Sequence, residues 1–273
     1  MMSWKQLKLM AVVGAILSPG ALTAQHTASK EPAPVAVRFT EGSVHGFLEL
    51  QDGRGVRIAS GELLQLPAGR SIESTLTFRF ADRSYFEESV TFTQQRVFAL
   101  QKYHLVQRGR SFARDLDATL WSDGHYVVKS TSHDGEVTRD AGQLDLPHDV
   151  SNGLVVTLAK NLRVGDTATV HLVAFTPNPQ LVELRLSFEG TDSILVGDRH
   201  QPLARFLVKP HLSALKGFFA KLLGKLPADS RIWVLQDRVP AFIRFEGPLY
   251  DGAVWRLVLA APVMGEPRGV KRK

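Results

Sequence analysis

Asp115 and Asp117 stand two residues apart, so on a β-strand their carboxylates share one face. That spacing can hold a divalent cation or pair two acids for proton transfer. The ordinary state of such a pair is a solvated strand face. His125 and His133, with Asp123 and Asp134, flank two Asp-Gly turns. They would ligate a metal only if the turns met in space and at least three groups converged. His148 beside Asp149 reads as a loop or cap pair. The chain contains no G-x-S-x-G, no H-E-x-x-H and no Walker-type phosphate loop, and Gly53-Arg54-Gly55 lacks the third glycine and following helix of a dinucleotide fingerprint. No residue is assigned a catalytic role, and neither a metal nor a cofactor is expected. The strongest grouping is aromatic: Trp233, Phe242, Phe245, Tyr250 and Trp255 crowd one short stretch, with Phe218 and Phe219 just upstream. Such a group suits a hydrophobic core and also suits the wall of an apolar pocket. Phe218, Phe219, Trp233, Phe245 and Trp255 are therefore the candidate ligand-lining residues.

The elements that position these side chains follow from hydrophobic periodicity. From about residue 35 to Asp145 the pattern has period two. Val44, Gly46, Leu48 and Leu50 alternate with His45, Phe47 and Glu49. Asp52-Gly53 marks a turn before Val56 to Leu66, and Leu76, Phe78 and Phe80 form the next apolar row. Asp82-Arg83-Ser84 turns the chain into Tyr85 to Phe92, and Leu116, Ala118 and Leu120 form a further row. Asp123-Gly124 and Asp134-Gly135 are hairpin signals. Leu154, Val155, Leu158, Ala159 and Leu162 then recur at helical spacing, closed by Gly165. Strands resume at Ala168 to Phe175 and Leu181 to Phe188. A second amphipathic helix is expected from His211 to Leu223, started by Pro210 and ended by Gly224 and Pro227. Short strands follow at Ile232 to Leu235, Ala241 to Phe245 and Val254 to Ala260.

Strands with one apolar face need a cover, and the two striped helices are the available cover. The expected architecture is mainly β: a curved antiparallel sheet, or open half-barrel, wrapped around one or two helices. A closed β-barrel with peripheral helices is the alternative.

Composition narrows the function classes. The 273 residues are 44% hydrophobic and 22% charged, ordinary for a globular chain, and there is no cysteine. Disulfides and cysteine-based metal sites are thereby excluded. The net charge of +6 sits at the two ends. Without Lys5 and Lys8, and without Arg268, Lys271, Arg272 and Lys273, the body carries 27 basic and 27 acidic residues. A nucleic-acid binder would spread its basic residues over one folded face, so that class is set aside. Lys5 and Lys8, the apolar run Leu9 to Leu17, and Ala21-Leu22-Thr23-Ala24 before Gln25 have the layout of a cleavable secretory signal. The apolar run is too short to span a bilayer. The expected organisation is a signal peptide over 1–24, a polar linker over 25–34, one β-rich domain over 35–264 and a basic tail over 265–273. The expected location is the periplasm or the exterior.

Three segments resemble a known group. They are Leu144-Asp145-Leu146-Pro147-His148-Asp149-Val150 through Leu158-Ala159-Lys160-Asn161-Leu162, Gly224-Lys225-Leu226-Pro227-Ala228-Asp229 through Trp233, and Phe245-Glu246-Gly247-Pro248-Leu249-Tyr250-Asp251-Gly252 through Trp255-Arg256. They are similar to an uncharacterised family of exported bacterial proteins, a domain of unknown function that is distantly similar to the LolA/LolB lipoprotein carriers. The resemblance implies an open half-barrel closed by helices and brings no catalytic residues with it. A carrier role would rest on fold analogy alone. The expected function is non-enzymatic binding of an apolar lipid or acyl chain between sheet and helices. The rival is an envelope structural or assembly protein with a packed core and a protein partner; a hydrolase ranks below both. The basic tail could touch an anionic membrane surface.

Overall fold

In the computed structural model of the chain, residues 34–175, 179–211, 229–248 and 254–260 are described. Alternation along the sequence becomes fourteen strands in one antiparallel sheet. In chain order they are β1 (Val44–Gln51), β2 (Arg57–Ala68), β3 (Ser71–Phe80), β4 (Tyr85–Gln94), β5 (Phe98–Arg108), β6 (Asp115–Trp121), β7 (His125–Thr131) and β8 (Val137–Gln143). Helix α1 (Val155–Asn161) follows, then β9 (Thr167–Ala174), β10 (Gln180–Val196), β11 (Arg199–Pro210), β12 (Ser230–Leu235), β13 (Ala241–Pro248) and β14 (Val254–Leu259). Each of the two runs is a meander, and they join where β1 pairs with β14, with Leu48 opposite Leu259 and Leu50 opposite Leu257. The two free edges are β8 and β9.

The connection between those edges shows that the sheet is curled. The Leu144 N–H donates to the Gly124 carbonyl in the β6–β7 turn, and six residues later Val150 bridges His171 of β9. Six extended residues reach at most about 21 Å. A flat sheet would hold β7 and β9 roughly 55–60 Å apart at the usual strand spacing. The sheet therefore bends around until its edges nearly meet. β8 and β9 do not pair, so the barrel stays open and the closed alternative is set aside.

The inner face holds a contiguous core. Leu154, Leu158, Ala159 and Leu162, the expected helical stripe, are buried, and α1 packs against β12 and β13. The connection also fills the interior: Gly153 lies against Val90 and Tyr103, and the Tyr103 ring of β5 stacks on Phe175 beyond β9, with centroids 5.9 Å apart. The loop before α1 is held by a side chain of its own. The Asn152 side chain clamps the Val173 backbone, accepting from its N–H at 2.8 Å and donating to its carbonyl at 2.9 Å, so α1 has no side-chain cap. The incoming segment is strapped on by Asn161, whose Oδ1 accepts the backbone N–H groups of Arg38 and Phe39, and by the ion pair between Lys160 and the nearly buried Glu41.

Four strands lie beyond the elements individually expected: β5, β7 and β8, of which only the flanking Asp-Gly turns were signalled, and β11 with the extension of β10 to Val196. Bulges at Thr91/Phe92 and Phe188/Gly190 shift the phase at β5 and β10, and a fixed period of two does not carry across an inserted residue. The expected helix over His211 to Leu223 lies, apart from His211, outside the described residues, as do the signal segment, the linker as far as residue 33, and the tail. No helix among the described residues is long and apolar enough to cross a membrane.

Candidate functional site

Strand β4 carries Phe86, Glu88, Val90 and Phe92 in one phase, and its pairing aims that row at the interior. Glu88 sits opposite Leu76 of β3 on one side and Leu105 of β5 on the other. A carboxylate is thus set in an apolar row. Around it, Leu76, Phe78, Phe86, Tyr103, Leu105 and Gln107 enclose a cavity of about 110 Å³. Phe78 is positioned by a glycine: its ring lies on Gly61 of β2, where a Cβ would come within 2.7 Å of the ring carbon Cδ1. A side chain at 61 would push Phe78 into the cavity. Phe78 and Phe86 meet at a tilt with centroids 5.8 Å apart.

The polar groups form a pair. The Tyr103 hydroxyl donates to Glu88 Oε1 at 2.7 Å. Glu88 is surrounded by protein and keeps only partial surface, which faces the cavity. Burial pushes its carboxyl above the usual glutamate range, and the Tyr103 bond offsets part of that. Burial, then the adjacent Glu88 charge, pushes the Tyr103 phenol well above its ordinary value. The arrangement can hold one polar or charged group against Glu88 while leucine and phenylalanine side chains enclose the rest. Among the described residues the lining contains no hydroxyl, thiol or amine nucleophile beside the phenol, and no second carboxylate for acid–base work.

A wider, more open depression of about 370 Å³ lies at Ser122, Asp123, Gln143 and Leu144. Its polar groups are largely engaged in holding the turn: Asp123 accepts from the His125 backbone and pairs with its ring, and the Gln143 amide donates to the Asp123 carbonyl.

The sequence-expected lining residues separate. Phe245 and Trp255 lie on the inner face, on adjacent strands, partly buried against the core. Trp233 pairs with Arg205 and Arg244 and points to the opposite face. There its indole N–H donates to Asp192 at 2.6 Å, and the Arg244 guanidinium lies 3.8 Å from the ring centroid. Trp233 is buried on the outer face beneath a charged cover in which Glu189 bridges Arg205 and Arg231. It therefore does not share a surface with Phe245 and Trp255. Phe218 and Phe219 lie outside the described residues.

The acidic and histidine groupings resolve into local structure. Asp115 accepts the Gly109 N–H, and Asp117 lies 2.9 Å from His104 Nε2. The turns bearing His125 and His133 are at opposite ends of β7, so the two histidines do not meet. His133 binds the Phe112 carbonyl, and Asp149 pairs with His171 rather than His148. Among the described residues no group of three potential ligands converges. Glu88 and Tyr103 escaped the sequence reading, although a signal was present: an acid in phase with Phe86, Val90 and Phe92 is an acid aimed at the core.

No family model and no curated protein matches the chain. Among solved structures the chain is similar to a beta-barrel-like protein of Domain of Unknown Function DUF1849 from Brucella abortus. The identity is 10% and the TM-score 0.39, covering 84% of this chain and 98% of that one.

Proposed function

We propose that this is a non-enzymatic binding protein of the exported compartment that holds a small, mainly apolar ligand in the inner-face cavity beside Glu88. The observation that carries the reading is a recess of about 110 Å³ on the apolar inner face, with Glu88 in its wall. Apolar groups of a ligand seated there would be withdrawn from water against leucine and phenylalanine side chains. The space is a little smaller than the ~150 Å³ that admits benzene in an engineered core. Of an acyl chain it admits only the last few carbons. A carrier role of the LolA/LolB kind, suggested by the sequence resemblance, is compatible with such end-on seating. In this reading the basic tail rests on anionic headgroups after cleavage near Ala24.

Titration of the exported protein with short-chain alcohols and fatty acids tests the proposal, read by tryptophan fluorescence and melting temperature. A true ligand at a hundred times its Kd adds about 2.7 kcal/mol, or roughly 5–11 °C for a domain of this size. No change up to the solubility limit would remove the ligand reading. The alternative is an assembly protein with a protein partner. Phe47, Leu64 and Leu66, on the outer face of β1 and β2 and 56%, 42% and 49% exposed, favour that second reading.

A further inference from the structure

The cavity has a chemical polarity that its volume does not convey. Glu88 Oε1 accepts from Tyr103, and among the described residues no other hydrogen bond to the carboxylate is present. Among the described residues, neither Lys, Arg nor His lines the space. The remaining walls are the rings of Phe78, Phe86 and Tyr103 with Leu76 and Leu105, and the neutral amide of Gln107 completes the lining. A carboxylate enclosed by hydrocarbon is costly unless a positive group pairs with it. Aromatic faces attract cations through the ring quadrupole, and one carboxylate among aromatic rings is how proteins recognise alkylammonium groups. At about 30 Å³ per water-sized group, the cavity holds roughly four such groups. That is a compact ammonium head, with any longer substituent left outside.

Building on the binding role proposed above, we infer that the ligand of this cavity is an organic cation, a small alkylammonium group whose charge pairs with Glu88 and whose methyl or methylene groups pack on Phe78, Phe86 and Leu105. The ligand supplies the counter-charge that the fold omits. Binding also requires Glu88 to be ionised, so affinity falls as pH drops through the range where Glu88 takes up its proton.

The test uses the full exported chain and two probes of nearly equal shape: choline, and 3,3-dimethylbutan-1-ol, which replaces the ammonium nitrogen with carbon. Melting temperature and tryptophan fluorescence are followed at pH 7.5 and pH 5. Choline is expected to bind roughly tenfold or more tightly than the alcohol at pH 7.5, and that advantage is expected to shrink at pH 5. Glu88→Gln keeps an acceptor for Tyr103 and should abolish the choline preference while leaving the alcohol unaffected. Leu76→Phe fills the cavity and should weaken both probes. If the alcohol binds as tightly as choline, or if choline binding survives Glu88→Gln, the cationic assignment is overturned while the cavity remains a binding site. If neither probe binds, or if both are indifferent to Leu76→Phe, the cavity reading fails with it.

Discussion

Replacing Tyr103 with Phe removes one oxygen and leaves the ring in place against Phe175. The hydroxyl donates to Glu88 at 2.7 Å. A hydrogen bond to a charged group contributes about 1.5–3 kcal/mol, and a neutral one about 1 kcal/mol. At pH 7.5 the variant should therefore lose about 2–3 kcal/mol, or roughly 5–10 °C of melting temperature. The pH dependence has a definite sign. Glu88 is raised in the folded state, so the folded chain holds its proton longer than the unfolded chain. Stability is free of this penalty below the unfolded glutamate range, and falls as pH rises toward the raised folded value. Tyr103 holds the carboxyl down, so its removal extends that fall to higher pH. The gap between wild type and Tyr103→Phe should then shrink toward about 1 kcal/mol at pH 4 and widen toward pH 8. Glu88→Gln should flatten the profile, and the double variant should show a coupling of about 1–2 kcal/mol. Urea melts at several pH values measure all of this. An equal loss at pH 4 and pH 8, or strict additivity, would refute the buried pair as described.

Asn161→Ala removes the acceptor of the Arg38 and Phe39 N–H groups, both at 2.8 Å, and the donor to the Thr157 carbonyl. It should cost about 2–4 kcal/mol and speed proteolysis between residues 34 and 41, whereas Asn161→Asp should retain more of the strap; unchanged cleavage would contradict this. Gly124 and Gly135 both have φ +90°, but a Cβ at Gly124 meets the Leu144 carbonyl while one at Gly135 meets nothing within 4 Å. Gly135→Ala should cost about 1–2 kcal/mol from backbone conformation alone, and Gly124→Ala distinctly more in urea denaturation. Equal costs would mean that the β6–β7 turn does not hold the connection.

Much of this molecule was legible along the chain. Regular alternation from Val44 onward specified strands with one buried face, because successive side chains on a pleated strand point to opposite sides. The Asp-Gly pairs at 123 and 134 marked hairpins, because glycine takes the positive φ such turns require. The stripe from Leu154 to Leu162 marked α1, because four residues of that row meet the core together. The phase of Glu88 was also readable. The facing of Trp233 was not. Ile232, Trp233, Val234 and Leu235 form a continuous apolar run, and a run without alternation does not say which residue turns inward. Pairing with β11 and β13 decided it, setting Ile232 opposite Phe245 and Trp233 opposite Arg244. Likewise, the sequence by itself determined that an acid would face the interior at position 88. Only the tertiary structure decided that Leu76, Leu105 and Tyr103 would surround it, because those neighbours come from two other strands and the pairing register of β3 and β5 with β4 sets which residues meet it.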